Sequence, residues 1–258
     1  MQSSLSASRI ATGFQFLEGP IWIPARGELV FSDIPASRLH KWKDGRVEVW
    51  REPSGHANGN TLDPQGRLVT CEHGNRRVSR TEPDGAVITL ADRFEGKRLN
   101  SPNDIKCRRD GTIYFTDPPY GVKPEDRELD FQGVFRIVGN KLELFARDFG
   151  KPNGLGFSPD ESILYIADTE RGHVRAFDPA GNDRVFCRVE RPDGLETDPA
   201  GNLYVAGMAG VEIFDPAGKK LSVIALPERP SNLEFGDADL RTLYITARTS
   251  LYRVRLLG

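Results

Sequence analysis

The sequence has few cysteines and no long apolar run. Cys71, Cys107 and Cys187 are an odd number at wide spacing without a Cys-x-x-Cys pair, so we expect reduced packing residues rather than disulfides or a thiolate zinc site. No apolar stretch approaches the roughly 18 to 20 residues of a membrane helix, and residues 1–16 lack the basic start and apolar middle of a secretion signal. We therefore expect a cytoplasmic protein with no membrane partner.

An excess of either charge is also absent. The chain has 35 Lys and Arg against 37 Asp and Glu, a net charge of -2, and the two signs are mixed along it. This pattern excludes the basic stripe that binds nucleic acid and the polybasic run that binds an anionic membrane. A G-x-S-x-G elbow, a Walker loop and a His-Glu-x-x-His motif are missing as well. A small neutral or acidic ligand remains open.

What the sequence does contain is a repeat. The segments KPNGLGFSPDESILYIAD, RPDGLETDPAGNLYVAG and RPSNLEFGDADLRTLYITA, which begin at residues 151, 191 and 229, align with one polar residue in the same column. Three earlier segments fit the same frame. The six residues of this column, called the anchors below, are spaced by 40, 45, 50, 40 and 39 residues, so that six copies fill the chain. The anchors are Glu18, Asn58, Asn103, Asn153, Asp193 and Asn232.

Each copy contains four strand signals separated by turn sequences. After Asn153, for example, come a short apolar segment and the runs ILYIAD, HVRAFD and RVFCRV. Four strands in about 40 residues, without an amphipathic helix, are typical of β-propeller blades. We predict an all-β fold, a six-bladed β-propeller with four-stranded blades, as a single domain over residues 1–258. The N-terminal segment RIATGFQF is expected to join LYRVRLL and close the last blade.

Every anchor carries a side-chain oxygen. The first strand of a propeller blade is innermost, so the anchors are expected to converge at one end of the central channel. Amide and carboxylate oxygens suit Ca²⁺ or Mg²⁺, and Glu18 and Asp193 supply two negative charges. The alternative interpretation is structural, because Asn and Asp also cap strand entrances and bond neighbouring backbone groups.

The loops expected around the channel mouth contain further candidates. A second acidic set recurs 14 or 15 residues after its anchors and consists of Asp33, Glu72, Asp117 and Asp168. We expect these residues to end strands and bond loop amides, with ligand contact as the alternative. His56 and His73 are candidate substrate contacts, against a surface or supporting position, and Tyr120 is a candidate aromatic wall. Asp104, next to an anchor, is a candidate support for the ligands.

The segments EGPIW, LNSPNDI and FTDPPYG, with the repeats at residues 151 and 191, resemble the gluconolactonase and regucalcin (senescence marker protein) family, in particular its bacterial gluconolactonase-like members. The resemblance covers nearly the whole chain. It implies one divalent cation at the channel mouth, with Ca²⁺ as the expected ion and Mg²⁺, Mn²⁺ or Zn²⁺ as alternatives. It also implies Glu18, Asn153 and Asp193 as metal ligands, Asn103 as a ligand or substrate contact, and Asp193 as the general base. Ser101 stands where animal regucalcins typically have a substrate-contacting Arg, which leaves the sugar specificity open.

The expected function is metal-dependent hydrolysis of a sugar lactone, such as glucono-1,5-lactone, to the aldonic acid. The cation would polarise the carbonyl, and Asp193 would position or deprotonate water. The expected substrate contacts are Asn103, Ser101, His73, Asp117 and Tyr120. The residues expected to support the ligands from behind are Asp104, Asn58 and Asn232. Phosphotriester or fluorophosphate hydrolysis and a non-catalytic calcium-binding scaffold remain alternatives. The preferred lactone and the choice between a monomer and a small homo-oligomer stay open.

Overall fold

The computed structural model describes residues 6–256. The described chain forms six four-stranded antiparallel sheets. The first strand of each sheet contacts the first strand of the next, and the last sheet contacts the first, so the six sheets close a ring. The predicted six-bladed β-propeller is therefore confirmed.

The strands follow the predicted order along the chain. Strand β1 (Ser8–Thr12) precedes blade 1, which is formed by β2 (Leu17–Ile23), β3 (Glu28–Asp33), β4 (Arg38–Lys43) and β5 (Arg46–Arg51). Blade 2 is formed by β6 (Ala57–Leu62), β7 (Leu68–Glu72), β8 (Arg77–Thr81) and β9 (Val87–Ala91). A small hairpin that we did not predict follows, with β10 (Arg93–Phe94) and β11 (Lys97–Arg98).

The second half of the ring repeats the pattern. Blade 3 is formed by β12 (Ile105–Cys107), β13 (Ile113–Asp117), β14 (Gly133–Val138) and β15 (Lys141–Ala146), with a 3-10 turn at Pro124–Asp126. Blade 4 is formed by β16 (Pro152–Phe157), β17 (Leu164–Asp168), β18 (His173–Phe177) and β19 (Asp183–Arg188). Blade 5 is formed by β20 (Leu195–Thr197), β21 (Leu203–Gly207), β22 (Gly210–Phe214) and β23 (Lys220–Ile224). Blade 6 contains β24 (Asn232–Gly236), β25 (Thr242–Ala247) and β26 (Ser250–Arg255).

The N-terminal strand completes blade 6, as predicted. Strand β1 pairs antiparallel with β26, with Ser8 opposite Arg253 and Thr12 opposite Ser250. The Thr12 and Ser250 hydroxyls are 2.9 Å apart. This pairing joins the two ends of the chain and closes the ring without a long free edge at blade 6. Leu257 of the predicted closing segment, and residues 1–5 and 258 of the predicted domain, lie outside the described residues.

The blades pack on each other through apolar and aromatic side chains. Between blades 1 and 6, Trp22 stacks on Tyr244 with ring centroids 5.6 Å apart, and Trp42 contacts the same tyrosine ring at 5.5 Å. The three cysteines are free within the described part of the chain, in agreement with their prediction as packing residues. No helix among residues 6–256 is long and apolar enough to span a membrane.

The anchors occupy irregular, tightly approached backbone. The pairing of the first and second strands shifts register between Ala57 and Asn60 in blade 2, and the same irregularity occurs at the anchors of blades 1 and 4. The Gly59 amide donates to the Asn103 carbonyl at 2.8 Å. A Cβ at Gly59 would lie 2.7 Å from that oxygen. Glycine after the anchor therefore lets one blade contact the backbone of the next at the channel mouth.

Candidate active site

The channel mouth opens into a cavity of about 370 Å³. The anchors that line it are Glu18, Asn58, Asn103, Asn153 and Asp193. The other lining residues are Phe16, Ile34, His73, Tyr120, Thr169, Arg191, Arg229, Pro230, Ser231 and Arg248. The predicted convergence of the anchors is thus observed for five of the six. The sixth anchor, Asn232, is buried, and its amide donates to Asp104 at 3.2 Å.

Three amide anchors form a hydrogen-bonded chain across neighbouring blades. Asn58 Nδ2 donates to Asn103 Oδ1 at 2.7 Å, and Asn103 Nδ2 donates to Asn153 Oδ1 at 2.7 Å. Asn153 Nδ2 then donates to the Thr169 hydroxyl at 3.1 Å and the Tyr120 hydroxyl at 3.3 Å. These hydrogen bonds hold the amide planes in place, so the side-chain amide groups have little freedom to rotate.

The two acidic anchors lie near each other: Glu18 is buried, and the Asp193 side chain is 16% exposed. Burial raises the pKa of Glu18 well above its usual range, and the charges of Asp193 and Asp104 raise it further. Burial also raises the pKa of Asp193 to about 7, against the opposing effect of Arg229, whose Nη2 lies 3.5 Å from Asp193 Oδ2. Like charges in a desolvated site destabilise the ionised forms of both carboxyls. A bound cation would remove that cost.

The donor atoms fit a hard cation. Two carboxylate side chains and three amide side chains line the cavity, and oxygen ligands of this kind suit Ca²⁺ or Mg²⁺. Asn58 Oδ1 is buried without a hydrogen-bond partner, so it is an oxygen acceptor without a donor. Residues 6–256 contain no cluster of three or more His, Cys, Asp or Glu that would hold a metal. A cation at this site would therefore be held by amide oxygens beside the acidic pair. This set of ligands differs from the nitrogen and sulfur ligands typical of Zn²⁺.

One wall of the cavity is aromatic and neutral. Burial lowers the pKa of His73 to about 4, so this imidazole is uncharged at pH 7. Its Nε2 lies 3.3 Å from Asn103 Oδ1, and its ring stacks against Tyr120 with centroids 6.4 Å apart. His56 differs, because its exposed ring bonds the Ile34 carbonyl through Nδ1 at 2.8 Å, and it is not among the lining residues. The structure thus brings His73 and Tyr120, but not His56, to the candidate site.

Three members of the second acidic set bond loop backbone and Glu72 bonds side chains, which supports the structural interpretation of the set. Asp33 accepts the Phe16 amide at 3.0 Å, Asp117 accepts the Asn100 amide at 2.7 Å, and Asp168 accepts the Gly150 amide at 2.8 Å. Glu72 accepts from Arg77 Nε at 2.8 Å. These carboxylates hold the mouth loops against the ends of the second strands.

Two expected substrate contacts lie away from the cavity lining. Asp117 and Ser101 are fully buried, with 0% of each residue exposed. The side chain of Asp104 is also buried beneath the mouth, and burial raises its pKa to about 6. The structure therefore does not group Ser101 and Asp117 with the residues that face a ligand, whereas Asp104 lies behind the ring with Asn232.

Three arginines that the repeat did not single out also line the cavity. Arg191 and Arg229 precede the anchors of blades 5 and 6, and Arg248 lies in the turn between β25 and β26. A signal was present, because an Arg-Pro pair begins both RPDG and RPSN. The anchor column lies two residues after Arg191 and three residues after Arg229, so the repeat does not mark either arginine.

Known proteins resemble this chain over most of its length. The sequence profile described as SMP-30/Gluconolactonase/LRE-like region matches residues 16–249. The gluconolactonase of Zymomonas mobilis is 35% identical, over 95% of this chain and 80% of the relative. The 6-deoxy-6-sulfogluconolactonase of Pseudomonas putida is 30% identical, over 89% of this chain and 82% of the relative. A solved gluconolactonase structure from Xanthomonas campestris is 38% identical and superposes with a TM-score of 0.92, covering 97% of this chain and 89% of that one.

Proposed function

The chain belongs to the SMP-30/gluconolactonase/LRE-like family, and on that premise we propose that it is a metal-dependent lactonase that opens sugar lactones to aldonic acids. The observation that carries this proposal is the cavity at the channel mouth, which is lined by two carboxylates and by a hydrogen-bonded chain of amides from different blades. The lactonase names of relatives that share at least 30% identity over most of the chain support the reaction class.

The proposed ligands of the divalent cation are Glu18, Asn153 and Asp193, with Asn103 as a ligand or a substrate contact. Ca²⁺ is the proposed ion, because the donors are oxygens and two of them are carboxylates. When bound, the ion would polarise the lactone carbonyl and stabilise the negative charge that develops on its oxygen.

Asp193 is the proposed base, because it is the carboxylate beside the open cavity with a partner that can orient it. Its Oδ2 lies 3.5 Å from Arg229 Nη2, and a carboxylate that binds the ion can still accept a hydrogen bond from a water molecule through a free lone pair. As the water oxygen bonds to the carbonyl carbon, Asp193 accepts the water proton. When the ring carbon–oxygen bond then breaks, the same proton passes to the departing ring oxygen, so that water and lactone together yield the hydroxy acid.

The neutral wall is proposed to hold the sugar. His73 is uncharged at pH 7 and can accept a hydrogen bond from a sugar hydroxyl, and the Tyr120 ring covers the cavity beside it. Asn103 lies between this wall and the acidic anchors, where its amide bonds both Asn58 and Asn153. We further propose that residues 1–258 act as one domain; a cytoplasmic location stays a prediction of the sequence.

Acid release in a pH-stat assay tests the proposal directly. Purified protein is assayed with sugar lactones, aliphatic lactones and phosphotriesters, with spontaneous hydrolysis subtracted. We expect rapid acid release from sugar lactones that EDTA abolishes and added Ca²⁺ restores. Preferential turnover of phosphotriesters would favour the organophosphate alternative, and the absence of metal-dependent acid release from every substrate would overturn both enzymatic hypotheses.

Substitutions at Asp193 separate its roles. Asp193→Asn keeps the shape and removes the charge, and we expect it to lower kcat by about 10² to 10⁴-fold. Asp198→Asn is the control, because Asp198 lies in a turn where it accepts the amides of Ala200 and Asn202. Full activity in Asp193→Ala would refute the assignment of Asp193.

A further inference from the structure

The cavity carries more positive charge than a neutral lactone requires. Arg191, Arg229 and Arg248 line the same cavity as Glu18 and Asp193. Among the lining side chains, with both carboxylates ionised, three guanidinium groups against two carboxylates leave one positive charge, which the Asp104 carboxylate behind the ring offsets when it is ionised. A bound divalent cation would then leave an excess of two. An excess of this size in a confined site attracts anions.

The arginines are available to a ligand. Among the described residues, the guanidinium groups of Arg191 and Arg248 make no hydrogen bond or ion pair, and Arg229 Nε is buried without a partner. Arg76, which also lies near the mouth, shows the contrasting case. Its Nε donates to the Leu99 and Asn100 carbonyls at 2.7 and 2.9 Å. Within the described residues, the chain thus ties Arg76 to backbone carbonyls and leaves the guanidinium groups of Arg191 and Arg248 without a hydrogen-bond or ion-pair partner.

The backbone fixes where these side chains start. Arg229 Nη2 donates to the Arg191 carbonyl at 3.1 Å, which ties the two loops together. The Arg248 carbonyl accepts the Leu17 amide at 2.8 Å, and its guanidinium lies over the Phe16 ring at 5.5 Å. Arg191 and Arg248 have φ of 48° and 50°, a left-handed conformation in which glycine would be less strained. A long cationic side chain is present at both positions despite that conformational preference.

The three arginines occupy one sector of the mouth. They come from blades 5 and 6, next to Glu18 of blade 1, whereas His73 and Tyr120 come from blades 2 and 3 and are neutral. A ligand in the cavity therefore meets amides and aromatic rings on one side and guanidinium groups on the other. This asymmetry would orient a substrate whose two ends differ in charge.

We propose that the substrate is a lactone with an anionic oxyacid group, such as a carboxylate, phosphate or sulfonate, on the arm beyond its ring. Arg191, Arg229 and Arg248 bind this group, since planar guanidinium forks match the oxygens of such anions. The lactone ring then lies over the amide anchors. The inference deepens the proposed lactonase function and rests on it.

A matched pair of substrates tests the inference. Glucono-1,5-lactone and 6-phosphoglucono-1,5-lactone share the reacting ring and differ in charge on the arm. We expect the calcium-loaded protein to have a kcat/KM at least about tenfold higher for the phosphorylated lactone. Raising the salt concentration should reduce this preference, because it screens the exposed guanidinium groups. The corresponding 6-carboxylate and 6-sulfonate lactones then identify the preferred oxyacid.

Charge-removing variants show whether the arginines cause the preference. We expect Arg191→Gln and Arg248→Gln each to raise KM for the phosphorylated lactone about tenfold and to reduce its kcat/KM advantage over the neutral lactone by a similar factor, whereas Arg241→Gln should change neither. Arg241→Gln is the control for net charge, because Arg241 is exposed and outside the cavity lining. Melting temperatures confirm that each variant is folded.

Two negative results have different meanings. Equal kcat/KM for neutral and anionic lactones, or an equal loss for both in the arginine variants, would overturn the anionic substrate while leaving lactonase activity intact. Absence of metal-dependent acid release from every lactone would overturn the proposed function and this inference together.

Discussion

Lys106 lies where three innermost strands meet in the channel. Its ammonium group bonds Glu196, and it contacts Glu234 at 3.2 Å, although the three residues belong to blades 3, 5 and 6. The side chains are only 14 to 18% exposed. Lys106→Met would keep most of the side-chain stem and leave the two carboxylates without their counter-charge. Removing one partner of a buried ion pair costs about 3 to 5 kcal/mol, equivalent to a fall in Tm of roughly 6 to 20 °C for a domain of this size.

The deficit should depend on pH. Burial raises the pKa of Glu234 to about 7 even with Lys106 present to oppose the shift, and loss of the ammonium should raise it further. A carboxyl whose pKa is higher in the folded than in the unfolded protein makes its full contribution to stability below the unfolded-state pKa. This contribution is lost as the pH rises through the folded-state pKa. The Lys106→Met variant should therefore lose more stability relative to wild type at pH 8 than at pH 5.

Urea unfolding of the metal-free protein, followed by tryptophan fluorescence at pH 5 and pH 8, measures both effects. The control variant combines Lys106→Met with Glu196→Gln and Glu234→Gln, which removes every charge of the cluster and should recover most of the lost stability. A loss below about 1 kcal/mol in Lys106→Met, with no change between the two pH values, would refute the interpretation of a buried ion cluster.

Two further variants test the backbone and the mouth loops. Gly59→Ala would place a Cβ 2.7 Å from the Asn103 carbonyl oxygen and the Asp104 Cα. We expect a lower Tm and at least a tenfold loss of lactonase activity, which corresponds to roughly 1.4 kcal/mol. Wild-type values for both would show that the blades can separate there freely. Burial raises the pKa of Asp117 to about 7, so its contribution to stability is lost as the pH rises through that value. The free energy of unfolding of Asp117→Asn relative to wild type, measured in urea, should therefore be higher at pH 8 than at pH 5. A pH-independent difference would contradict the raised pKa of Asp117.

The internal repeat explains why the architecture was predictable. Each copy has its own strand signals, and the anchor column marks the entrance to the innermost strand, so topology alone predicts that the anchors, Glu18 and Asp193 among them, converge at the channel mouth. A glycine follows four of the six anchors in the sequence, at Gly19, Gly59, Gly154 and Gly194. In isolation such pairs are ordinary turn sequences, and their role in blade contact follows only from the distance to the neighbouring blade.

Other features depend on contacts that no local pattern describes. The hairpin of β10 and β11 has two residues in each strand, too short for a periodic signal. Ser101 and Asp117 belong to motif-bearing segments, yet both are fully buried. The cationic sector formed by Arg191, Arg229 and Arg248 combines loops from separate blades, so it becomes visible only when the ring is closed. The oligomeric state, a monomer or a small homo-oligomer, stays a prediction.

Calorimetric titration of Ca²⁺ into the metal-free protein tests the central claim, that Glu18 and Asp193 together hold one cation at the channel mouth. Wild-type protein should bind one ion per chain. Glu18→Gln and Asp193→Asn should each weaken binding by at least about tenfold, because each removes a charged ligand, while Asp198→Asn should bind as wild type does. Binding of equal strength in wild type and both anchor variants, or no binding in wild type, would contradict the account.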